Sequence, residues 1–119
     1  MGSIPDLKDR TKQFALRIMR LCRSLPRRED ARVIARQVLR SGTSVGANYR
    51  AACRARSKPE FVAKLGIVLE EADETVFWLE LLQESEIVSS PKLASLLQEA
   101  RELTAIFVAS ICTAKGITT

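Results

Sequence analysis

An apolar rhythm with the period of an α-helix recurs four times along this chain, and each recurrence is bounded by residues that start or stop helices. Leu7, Phe14, Ile18, Leu21 and Leu25 keep one helical face over about residues 6–25, and Pro26 with Arg27 and Arg28 ends that phase. Ala31, Ile34, Val38, Val45, Tyr49 and Ala52 hold a second face over about residues 29–56. Ser57-Lys58-Pro59-Glu60 has the form of a capping box with proline in the first turn, and it opens a third segment to about residue 85. Phe61, Leu65, Val68, Ala72, Thr75, Leu79 and Leu82 form its stripe. Ser90-Pro91 opens a fourth segment, about 90–115, whose face is Leu93, Leu96, Ala100, Leu103, Phe107 and Ile111; Gly116 stops it, and the tail Ile117-Thr118-Thr119 is expected to fray. No strand-like alternation competes. Four amphipathic helices joined by short turns pack antiparallel, so residues 1–119 are expected to form one all-α domain, an antiparallel up-down four-helix bundle.

Residue types narrow the chemistry. The 119 residues contain no histidine, which removes the commonest general base and metal ligand and excludes Ser-His-Asp and Cys-His machinery. Cys22, Cys53 and Cys112 are too dispersed for a zinc site or a disulfide framework and are expected as small buried apolar residues. Glu70, Glu71, Asp73 and Glu74 resemble the carboxylates of a di-iron bundle, but such a site also needs Glu-x-x-His. The run from Ser41 to Asn48 resembles a phosphate loop, yet Ala47 stands where that loop needs lysine. No catalysis, cofactor, metal or small-molecule substrate is expected. No apolar run is long enough to span a membrane and the N-terminus lacks a secretion signal, so a cytoplasmic location is expected.

Two features of the second segment stand out. Gly42 and Gly46 interrupt the second segment chemically but not in phase, so both are expected inside a continuous helix where another backbone comes close. Arg32, Arg36, Arg40, Arg50 and Arg54 fall within about 80° of one another on the helical wheel, opposite the core, in a stripe about 33 Å long. On the third segment, Glu70, Glu71 and Glu74 are placed opposite the core stripe. Ile67, Trp78 and Leu81 make a second apolar strip there, as a helix with a second partner would carry.

Charge divides the same way. Residues 1–64 carry 16 Lys/Arg against 5 Asp/Glu, and residues 65–119 carry 3 against 9. A basic surface and an acidic one can join head-to-tail between copies, and such contacts close into rings. Ile67, Glu70, Glu71, Glu74, Trp78 and Leu81 are the candidate subunit interface, and the five arginines are the candidate nucleic-acid or anion-binding residues.

Two stretches are similar to a known family: RSGTSVGANYRA from Arg40 to Ala51, and RSKPEFVAKLGIVLEEA from Arg56 to Ala72, continuing through WLELL at Trp78–Leu82. They resemble bacterial four-helix-bundle proteins encoded by intervening sequences of 23S rRNA genes. The resemblance implies a bundle of undefined biochemical role that assembles into rings of five. A related protein, the accessory variability determinant of diversity-generating retroelements, is a basic pentamer that binds nucleic acid and a reverse transcriptase. Two functional expectations follow. Either the oligomer is a scaffold for RNA, DNA or a nucleoprotein, or its charged faces serve self-assembly alone, with a neighbour's Glu70, Glu71 and Glu74 covering the arginines.

Overall fold

The computed structural model describes residues 6–89 and 91–116, apart from the side chain of Lys92. Four helices follow one another: α1 (Leu7–Ser24), α2 (Glu29–Cys53), α3 (Lys58–Glu84) and α4 (Pro91–Lys115). Their connections are only a few residues long, which forces neighbours antiparallel. Each helix packs on the next, α4 also touches α1, and the diagonal pairs stay apart, in an up-down bundle of 45 × 28 × 23 Å.

Local chemistry sets the ends. Asp6 caps α1 by accepting from the Asp9 amide at 3.2 Å. Leu25 is extended, as a residue before proline must be. At the start of α3 the Ser57 hydroxyl accepts from the Glu60 amide at 3.2 Å, while the Glu60 carboxylate accepts from the Arg56 amide at 2.7 Å. This reciprocal cap explains a correction. The second helix was expected to reach Arg56 but stops at Cys53, because the cap needs Ser57 extended (φ −152°) and the Arg56 amide turned toward Glu60. Gly116, at φ 72°, ends α4 in the left-handed conformation that glycine adopts freely. The expected Ser90 cap and the tail Ile117-Thr118-Thr119 lie outside the described residues.

The core is a continuous apolar column: Phe14 and Ile18 from α1, Val38 and Val45 from α2, Leu65, Leu79 and Leu82 from α3, and Leu93, Leu103 and Phe107 from α4, among others. Arg10 ties α1 to α4 with a two-pronged pair to Glu99, at 2.8 Å for both bonds, and a third bond to Glu102 at 3.0 Å. Those carboxylates, Glu99 first, hold the guanidinium more firmly protonated than usual. The cysteines differ from expectation. Cys53 is exposed and Cys22 and Cys112 are half-buried, since each falls at the edge of its helix's apolar stripe.

Candidate nucleic-acid interface

The site residues are arranged by α2, so its two flanks decide the geometry. α2 runs without a break through Gly42 and Gly46, both buried. A Cβ at Gly42 would lie 2.8 Å from Ile18 Cγ1 and 3.0 Å from Cγ2; one at Gly46 would lie 3.3 Å from the Thr11 hydroxyl and 3.4 Å from the Thr11 carbonyl oxygen. These glycines let α1 and α2 approach more closely than side chains would allow.

The other flank is polar. Thr75 donates to the Glu71 carbonyl at 2.7 Å, and its hydroxyl lies 2.9 Å from that of Ser41, both residues fully buried. Just outside this pair, Arg40 reaches Glu71 at 3.4 Å, pairs with Glu74, and bonds the Gln37 amide oxygen at 3.2 Å. Glu74 also accepts from the Trp78 indole N–H at 2.9 Å.

The arginine stripe is therefore not one surface. All five arginines are exposed, but Arg32, Arg36, Arg50 and Arg54 have no carboxylate partner among the described residues, whereas Arg40 is ion-paired with Glu71 and Glu74 of its own chain. Arg32 with Arg36 and Arg50 with Arg54 form two patches separated by about 21 Å along the helix.

The acidic residues divide too. Glu70 is exposed as expected, but Glu71, placed opposite the core by the sequence, has a side chain only 17% exposed at the α2–α3 seam. Glu74 sits at the same seam, half-buried. The wheel separates inward from outward but does not show which lateral side meets a neighbour.

Of the expected apolar strip, Ile67 is 47% exposed and Trp78 and Leu81 are half-buried. The sequence reading passed over Phe77, 51% exposed and edge-on to Trp78 with ring centroids 5.0 Å apart. Its alternation with the core positions at Thr75 and Leu79 was the available signal.

Lys8 and Lys12 were also missed. Both are exposed on α1 and share with Arg50 and Arg54 a groove of about 530 Å³. At the opposite end of the bundle, a cleft of about 400 Å³ is edged by Arg20 and by Arg17, which already bonds the Ser95 hydroxyl at 3.0 Å.

Reactive chemistry is poorly supported here. Burial pushes the Cys22 thiol up from its ordinary value, which disfavours the thiolate. Tyr49, pushed up to about 12 first by burial and then by its contact with Cys53, packs against Phe107 with centroids 5.7 Å apart. That ring is half-buried and packs against the core. Among the described residues no group of His, Cys, Asp and Glu could hold a metal ion, and no helix is long and apolar enough to cross a membrane.

Comparison with known proteins places this geometry. No curated protein matches the chain. A crystal structure of a protein with unknown function from the S23 ribosomal protein family of Bacteroides thetaiotaomicron VPI-5482 is similar to it, with 39% identity and a TM-score of 0.81, covering 87% of this chain and 96% of that one. Residues 6–109 match the family described as 23S rRNA-intervening sequence protein, and the chain belongs to that family.

Proposed function

We propose that this chain is a non-enzymatic, cytoplasmic subunit of a homo-oligomeric ring, five-fold by the family resemblance, whose assembly binds nucleic acid or a nucleoprotein through phosphate contacts without sequence preference. One observation carries the reading: Arg32, Arg36, Arg50 and Arg54 stay exposed and unpaired among the described residues although Arg40, in the same row, has found two carboxylates. Unpaired cations on a rigid helix attract phosphates, and release of condensed counterions drives the binding. Little is present to read bases. The chain has one Trp and one Tyr, both engaged by internal contacts, and the exposed Phe77 lies on α3 rather than in the arginine row of α2. A ring repeats the cations and raises avidity without new contacts.

The experiment is a titration of labelled RNA and duplex DNA at about 50 mM and about 200 mM salt, across which phosphate binding falls steeply. Absence of binding at the lower salt overturns the nucleic-acid reading.

A second reading has its own support. Exposed Ile67 and Phe77 beside Glu70 form a face suited to another copy of the chain, in which case the charges serve self-assembly alone. Light scattering at micromolar concentration tests assembly under either reading, and a monomer mass would refute it. Trp78→Ala should weaken assembly more than any single charge reversal, because exposed ion pairs contribute little.

A further inference from the structure

We infer that the groove between α1 and α2 is the seat of the phosphate backbone, and that it takes an extended single strand rather than a duplex. This rests on the nucleic-acid reading above and deepens it, because the groove draws half of its cations from a helix outside the arginine stripe.

Lys8 and Lys12 stand one turn apart on α1, Arg50 lies in the last turn of α2, and Arg54 is the residue that caps its end. Thr11 packs against Gly46, so the antiparallel helices bring the two pairs to the same end of the bundle, on opposite sides of one groove. All four are exposed, and none has a carboxylate partner among the described residues.

Asp6 and Asp9 also line the groove. Asp6 is engaged in capping α1, and Asp9 lies in the first turn, where the helix dipole favours a negative charge. Four cations against two carboxylates still leave the lining positive.

The rest of the lining is Ala15, Thr43, Gly46 and Ala47. Small side chains let a sugar–phosphate chain sink between the cations, and none of them offers an aromatic face to a base. Such a groove tracks a backbone and ignores sequence. Both could reach the cations at the rims, but only a single strand is narrow enough to lie between them against the small residues of the lining, from which the convex surface of a duplex is held away.

The test uses fluorescence anisotropy of a labelled single-stranded homopolymer across a salt series, on the intact protein. Lys8→Gln with Lys12→Gln, two exposed α1 residues, should lower the salt slope by about 1.4, roughly 0.7 for each cation removed from a single-strand contact. Ala47→Leu puts a bulky side chain into the lining without changing charge and should weaken binding, with circular dichroism confirming that it folds. If Lys8→Gln with Lys12→Gln leaves affinity and slope unchanged while Arg32→Gln with Arg36→Gln abolishes binding, the groove assignment is wrong and the nucleic-acid reading survives. If duplex binds more tightly than single strand, the single-strand assignment fails. If poly-glutamate competes as well as the homopolymer, the groove recognises charge and not phosphate. If the wild-type protein binds no nucleic acid at about 50 mM salt, the broader reading falls and this inference with it.

Discussion

α2 is held from two sides by opposite means. Toward α1 the seam is nearly bare: Gly42 against Ile18 and Gly46 against Thr11, with no charge crossing at those contacts. Toward α3 it is polar, with Ser41 and Thr75 buried together and Arg40 joined to Glu71 and Glu74 just outside. The bare seam brings two helices close, and its small residues line a groove with cations on both rims. The polar seam consumes the charge that approaches it. Arginines from one regular row thus meet different fates according to the flank they lean toward, and a charge stripe acts as a surface only where no neighbour answers it.

The largest expected effect breaks the bare seam. Gly42→Leu would drive its side chain into buried Ile18, and thermal or denaturant unfolding should show a loss of about 3 kcal/mol, near the upper end of ordinary overpacking. A loss below about 1 kcal/mol would mean that the glycine does not set the helix spacing.

A smaller effect tests the polar seam. Thr75→Val strands the buried Ser41 hydroxyl and should cost about 1–2 kcal/mol. Adding Ser41→Ala to that variant removes the stranded group, so the double variant should be the more stable of the two in the same unfolding assay.

The smallest effect has the opposite sign. A Cβ at Gly66 on α3 would meet nothing within 4 Å, so Gly66→Ala should raise stability by about 1 kcal/mol through helix propensity. A loss in light-scattering mass for this variant would place Gly66 in a subunit contact.

The helices and their inward faces were legible because apolar phase and caps are local signals. Ser57 and Glu60 marked the start of α3 three residues apart, and the unbroken phase of Val38 and Val45 carried α2 through its glycines. The fate of Arg40 was not legible. Its wheel position differs from that of Arg36 by only about 40°, and its partners lie over thirty residues away on a helix whose lateral placement depends on how the bundle closes. The same obstacle hid Lys8 and Lys12, which join Arg50 and Arg54 only because α1 lies on the glycine flank. Glu71 was misplaced for a related reason, since a carboxylate at the edge of a stripe faces solvent or a seam according to its neighbour.

The central claim is that cations of one row are functionally unequal, those on the α1 flank being free for phosphate and the one on the α3 flank already ion-paired with Glu71 and Glu74. The most direct measurement compares Arg50→Gln and Arg40→Gln for the salt slope of binding to a labelled single strand. The account predicts that Arg50→Gln lowers the slope by about 0.7, as loss of one phosphate contact on a single strand should, while Arg40→Gln leaves it near the wild-type value. Equal losses from both variants would contradict it and return Arg40 to a continuous phosphate-binding stripe.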